Sequence, residues 1–338
     1  LTLTGVNGYT GVTTVASGTL FISNINVWSG SSSLVLGGTG TAGTLDLNGT
    51  SKTFTSLATA GTPSAQTITN GATGTSTITF TGTNSTFGGS LADGSATKKI
   101  ALAITGGGTL QLASTNAFTG GTVVTNGTAQ LGANNAFGTG SLTLGGVGTA
   151  GTLDLNGFNQ SIGTFVVGSG ATASAQVIGN SSATADGVLT YTGGNLTFAS
   201  VIQDTLGAGS RKSGLTLAGG STFIVTGANT FTGTLTINGG NTLQVGSAGT
   251  AGSIASPVAN AGTLVFSRTD TLSLPSTVAV TGNGAVTLAQ TGAVTVAADG
   301  QFNTTGVFNM GSANAATIAT SLDLTNGSAT FGSLLVRT

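Results

Sequence analysis

The chain copies itself. Residues 40–49 read GTAGTLDLNG, and residues 148–157 read the same ten letters. The match extends on both sides: LVLGGTGTAGTLDLNG (34–49) returns as LTLGGVGTAGTLDLNG (142–157), SAQTITN (64–70) as SAQVIGN (174–180), and TFTG (79–82) as TYTG (190–193). LTLTGVNGYTG (1–11), LQLASTNAFTG (110–120) and FIVTGANTFTG (223–233) align three ways, with Asn7, Asn116 and Asn229 in register. A sequence written this way must build one structural unit several times and stack the copies. Three long repeats follow, 1–109, 110–222 and 223–338, the last of them divergent.

Shorter strings set the local structure. GTL recurs at 18–20, 43–45, 108–110, 151–153, 233–235 and 262–264, and Asn-Gly recurs from Asn7 to Asn326. Between these markers apolar and polar residues alternate. In GTLDLNG, Leu45 and Leu47 share one face of a strand, while Thr44 and Asp46 share the other. Gly and Asn supply the turn conformations between strands. Only three prolines interrupt possible ladders. No 3.6-residue periodicity long enough for a helix is present. The expected fold is all-β, a β-solenoid running continuously over 1–338. At roughly 22 residues per coil it has about 15 coils.

Composition narrows the chemistry. Charged residues make up 4% of the chain, against about 25% in an ordinary domain. There is no Cys and no His, which removes thiolate chemistry and the commonest acid–base and metal-binding group. Seven basic residues are too few and too scattered to track phosphates, so nucleic acid is not expected as a partner. No apolar run approaches the ~20 residues of a spanning helix, so this segment is not expected to insert in a membrane. No cofactor or metal is expected.

The string GGTLQLASTNAFTGGT (107–122) resembles the autotransporter-associated β-strand repeat. FGGSLADG (87–94) and the basic pair before ITGGGTL (104–110) resemble its run-in. The likeness covers most of residues 1–270 and fades beyond. It implies a right-handed parallel β-helix, exported and displayed outside the cell, with no catalytic residues carried by the repeat.

Candidate sites are few. Asp46 and Asp154 alternate with inward Leu and are expected to face solvent. Asp93 and Asp204 are expected in longer loops near Lys98, Lys99, Arg211 and Lys212, the most charged region of the chain. There they are either solvated with surface ion pairs to these basic residues, or in contact with a glycan, a cation or a neighbouring subunit. Arg268 and Asp270 are expected to form a local ion pair. The repeated aromatics Tyr9, Phe118 and Phe231, with Phe80, Tyr191, Phe87 and Phe198, are expected in the core or at corners. Trp28 is expected on a loop or at a contact. The strand-like start Leu1, Thr2, Leu3 and Thr4 is expected to pair end to end with another subunit, because no polar cap closes either end.

The leading expectation is a non-enzymatic, extracellular structural protein that polymerises head to tail into a filament. A monomeric passenger-type adhesin stalk is the alternative. A carbohydrate-binding or carbohydrate-active β-helix, taking a cell-surface or matrix polysaccharide, is a third.

Overall fold

The computed structural model describes residues 1–23, 32–289, 293–296, 301–310, 321–323 and 329–336. Contacts divide the chain into two compact units, Leu1–Gln176 and Val177–Thr338. Trp28 lies outside the described residues.

Each unit is a parallel β-solenoid. In the first, Gly18–Ile22, Gly43–Asp46, Thr67–Thr69 and Ser90–Ala92 pair successively in parallel. A second sheet runs through Ser32–Leu36, Lys52–Thr59, Gly74–Phe80, Lys98–Ile104, Thr122–Val124 and Ser141–Leu144. A third joins Asn84–Phe87, Thr109–Leu112, Gly127–Leu131 and Gly151–Asp154. In the second unit one sheet runs through Gly187–Tyr191, Ser213–Leu217, Leu235–Ile237 and Val258–Asn260. Alongside it, Leu196–Phe198, Thr222–Val225, Thr242–Gly249, Thr263–Arg268 and Ala285–Leu288 pair in the same way.

The winding follows from the local pattern. Strands of two to nine residues alternate with short turns, and among the described residues each strand pairs with strands of neighbouring coils, never with the next strand in sequence. A strand therefore meets its ladder partner one full turn later. Thr2 lies beside Phe21, a step of 19 residues, and Phe302 beside Ala329, a step of 27. The two units together have about 13 turns, fewer than the expected 15 or so, because many turns carry more than ~22 residues.

In-register stacking puts like on like. Leu20, Leu45, Ile68 and Leu91 form one buried row. Phe54, Phe80, Ile104, Val124 and Leu144 form another. In the second unit Phe198, Val225, Val245, Phe266 and Leu288 do the same. Burying each such side chain contributes about 1.5–3 kcal/mol. Phe118 and Phe231 are buried as expected, whereas Tyr9 is 39% exposed.

Among the described residues, three buried hydroxyls, on Ser32, Ser76 and Ser200, have no hydrogen-bond partner. An unpaired buried hydroxyl costs free energy that a methyl group does not. Ser76→Ala and Ser200→Ala are therefore expected to be neutral or stabilising, by up to about 1 kcal/mol. Denaturant melts of the two variants check this.

Candidate functional site

The carboxylates are where the structure departs most from the alternation pattern. Asp46 and Asp154 are not solvated: they are 8% and 3% exposed. The Asp46 Oδ1 accepts the N–H of Asn48 at 2.8 Å and that of Gly71, one turn on, at 2.7 Å. The Asp154 Oδ1 accepts the N–H of Asn156 at 2.9 Å, and Gln130 Nε2 donates to its Oδ2 at 2.8 Å. Alternation does put each Asp on the outer face of its strand. But the strand ends there, and the chain turns back through Asn48 and Asn156, which hold left-handed φ values of 45° and 44°. That turn and a neighbouring one cover the carboxylate. Gly71 is needed for the cover, since a Cβ there would lie 2.4 Å from Asp46 Oδ2.

Asp46→Ala is thus expected to destabilise the fold by about 1.5–3 kcal/mol, through loss of two hydrogen bonds to a charged acceptor. A solvent-facing carboxylate would give a change within about 0.5 kcal/mol. Equilibrium unfolding of the single variant separates the two outcomes.

Asp93 and Asp204 form a matched pair of clasps. The Asp93 Oδ1 accepts the Ile100 N–H at 2.7 Å. Its Oδ2 accepts both the N–H and the hydroxyl of Thr119, at 3.0 and 2.7 Å. The Asp204 Oδ1 accepts the Ser213 N–H at 3.0 Å, and its carboxylate takes the N–H and hydroxyl of Thr232 at 2.9 and 2.7 Å. Thr119 and Thr232 occupy the same place in the aligned strings NAFTG and NTFTG. In those strings Asn116 Oδ1 accepts the Leu91 N–H at 2.7 Å, and Asn229 Oδ1 accepts the Ile202 N–H at 2.9 Å. The repeat motif is therefore a receptor for the turn before it, and the Asp of that turn is its plug.

The basic residues take no share in these clasps. Among the described residues, the ion pairs are Arg211 with Asp186 at 3.0 Å and Arg268 with Asp270 at 2.7 Å. The first pair is about half exposed and contributes under ~1 kcal/mol. Lys98 and Lys99 are partly buried, and Arg211 and Lys212 are exposed. What recurs at the basic pair is a backbone role. Asn70 Nδ2 donates to the Lys99 carbonyl at 3.1 Å, and Asn180 Nδ2 to the Lys212 carbonyl at 2.9 Å.

Arg268 grips Asp270 with two bonds, at 2.8 and 2.7 Å, and reaches the Gly252 carbonyl. This hydrogen bond holds the Asp270 carboxyl below its ordinary 3.8. A depressed carboxylate stabilises the fold above its unfolded pKa and loses that contribution as pH falls through its folded value. Wild type is accordingly expected to lose more stability than Asp270→Asn between neutral pH and pH values below 3.8. Acid titration of the two unfolding midpoints is the check.

Two glutamines escaped the sequence reading. Gln66 and Gln176 are fully buried. The Gln66 Oε1 accepts the Gly43 N–H at 2.6 Å, while its Nε2 donates to the carbonyls of Thr41 and Thr62 at 3.1 and 3.0 Å. Gln176 repeats this with Gly151 at 2.7 Å, Thr149 at 3.3 Å and Thr172 at 2.9 Å. Each follows a short 3₁₀ turn, Pro63–Ala65 or Ala173–Ala175. Each amide packs where a glycine leaves room: a Cβ on Gly37 or Gly145 would sit 2.4 or 2.5 Å from the amide carbon. The repetition of SAQ at 64–66 and 174–176 was the available signal. Lys52 was also missed; it is 5% exposed, and burial lowers its pKa.

Leu1, the first residue of the expected end-to-end strand, is 81% exposed. Thr2 and Leu3 pair within the chain with Phe21 and Ile22. A cavity of about 470 Å³ opens beside them, lined by Leu1, Leu3, Tyr9, Val15 and Leu20 among others. A polar groove of about 290 Å³ is lined by Asn84, Ser85, Thr86, Thr109, Gln111 and Gln130. No group of three or more potential metal ligands occurs among the described residues.

The sequence profile of the family described as passenger-associated-transport-repeat matches residues 1–22, 105–130 and 215–245. No curated protein and no solved structure matches the chain. The three matched segments contain the three aligned strings with Asn7, Asn116 and Asn229. Three segments of the chain thus match passenger-associated-transport repeats, and the chain is wound as a parallel β-solenoid, as its likeness to autotransporter passengers implied.

Proposed function

We propose that the chain is a structural passenger segment, exported and held outside the cell, and that it is not an enzyme. The observation that carries this reading is the fate of its carboxylates. Asp46, Asp93, Asp154 and Asp204 each spend their oxygens on backbone or side-chain donors that tie parts of the solenoid together. Such groups stiffen a stack of turns and leave little acceptor capacity for a substrate. The repeat family and the solenoid support the same reading. Intact cells expressing the natural precursor test it. Antibody labelling and protease cleavage of this segment on unbroken cells are expected. Labelling only after lysis would sink the proposal.

Head-to-tail self-association is a second reading, favoured by one surface. Leu1, which lines the apolar cavity, is 81% exposed, and Val6, Val12 and Phe21, close in sequence to its other lining residues, are 71, 62 and 41% exposed. Exposed apolar patches of this kind mark contact surfaces. Electron microscopy of the purified chain, alongside Val6→Asp and Val12→Asp, addresses it. Filaments lost in the two variants favour association through this face, and monodisperse particles in all three end the idea.

A further inference from the structure

We propose that Asn238 is a site of spontaneous deamidation, and that the fold sets it apart from the Asn-Gly pairs at Asn48, Asn70, Asn126 and Asn283. In this reaction the backbone nitrogen of the glycine attacks the side-chain carbonyl carbon of the asparagine. A C–N bond forms, and the amide nitrogen leaves as ammonia. Water then opens the resulting succinimide at either carbonyl, giving Asp or isoaspartate. No other reactant is needed. The attack requires a glycine N–H that is not already committed and an amide that can swing onto it.

Four Asn-Gly pairs of this chain fail the first condition. After Asn48, the Gly49 N–H is held by Asn70 Oδ1 at 2.8 Å. After Asn70, the Gly71 N–H is held by the Asp46 carboxylate at 2.7 Å. After Asn126, the Gly127 N–H reaches the Ala150 carbonyl at 3.3 Å, and after Asn283 the Gly284 N–H reaches the Asn260 carbonyl at 2.9 Å. Asn70 is pinned as well, because its own amide donates to the carbonyls of Gly74 and Lys99.

Asn238 is different. It is exposed, and no acceptor for the Gly239 N–H occurs among the described residues. The backbone around it is nevertheless held open. Asn241 Nδ2 donates to the Asn238 carbonyl at 3.0 Å and to the Gly239 carbonyl at 3.4 Å, while Asn241 Oδ1 accepts the Gly220 N–H at 2.8 Å. The aligned place in the preceding repeat shows what changed. There the link between Thr122–Val124 and the residue aligned with Thr242, Thr128, is residues 125–127, and Gly127 already lies in the next strand. Here it is residues 238–241, one residue longer. The extra residue loops the turn out and takes the glycine N–H off the ladder.

The product would place a new charge in a chain with net charge −1. Isoaspartate would also add a backbone atom inside the turn that Asn241 holds. The test is a time course of the folded, full chain at mildly alkaline pH, with peptide mapping by mass spectrometry and isoaspartate detection. Asn238 is expected to convert at least about tenfold faster than Asn70, whose glycine N–H is held by a carboxylate, and several-fold faster than Asn48, whose glycine N–H is held by a neutral amide. A parallel sample in denaturant is expected to convert the three pairs at similar rates. Equal rates in the folded chain, or Asn48 or Asn70 ahead of Asn238, would overturn the assignment. A lead for Asn238 that persists unchanged in denaturant would also overturn it, because the fold would then not be the cause.

Discussion

Gln66→Ala is expected to destabilise the first unit by about 3–4 kcal/mol, the largest effect of any polar substitution in it. The side chain is fully buried and joins three backbone groups, the Gly43 N–H and the carbonyls of Thr41 and Thr62. Removing it strands all three in a place water cannot refill without opening the turn. An orphaned buried donor or acceptor costs its desolvation, beyond the bond itself. The Gly37 side of the amide adds a void, since the space a Cβ would occupy is filled by this amide. Gln66→Leu keeps much of the volume and none of the bonds, so it is expected to recover only the packing part. Equilibrium unfolding of the three chains measures this. A change under about 1 kcal/mol for Gln66→Ala would mean the amide is replaceable by water.

Asp204→Ala is expected to cost about 3 kcal/mol and to act locally in the second unit. The carboxylate accepts from Ser213 N–H and from the N–H and hydroxyl of Thr232. Asp204→Asn keeps one acceptor oxygen but turns an NH₂ toward donors, so most of the loss is expected to remain. Hydrogen exchange reads the effect residue by residue. The amides of Ser213 and Thr232 are expected to lose protection in the variant, while those of the strand Thr263–Arg268 keep theirs. Stability in a solenoid is built from neighbouring turns, so a broken clasp is felt mainly by the turns it joins. A uniform loss of protection across the unit would contradict that local picture.

These clasps show how far sequence reasoning reached. The period of two assigns Asp46 to the face opposite Leu45 and Leu47, and that assignment is right. It does not say what lies over that face. Strand alternation concerns a single strand, whereas burial of Asp46 depends on Gly71, 25 residues later. Asp93 and Asp204 raise the same problem. Their neighbours Lys98, Lys99, Arg211 and Lys212 suggested charge pairing, yet the carboxylates chose backbone N–H groups and threonines one turn on. Gln66 and Gln176 were visible as repeated letters in SAQ, but nothing in a single strand distinguishes an amide inside the coil from one outside.

By itself the sequence determined the all-β class, the stacking of turns and the apolar rows. Each depends on patterns within a strand or on identical strings that must stack in register. Only the tertiary structure decided which polar groups are buried, which backbone donors they satisfy and which Asn-Gly pairs are locked. Those outcomes depend on contacts 20 to 30 residues apart, between turns whose lengths vary from 19 to 28 residues. One residue more in a turn is enough to change which N–H meets which acceptor.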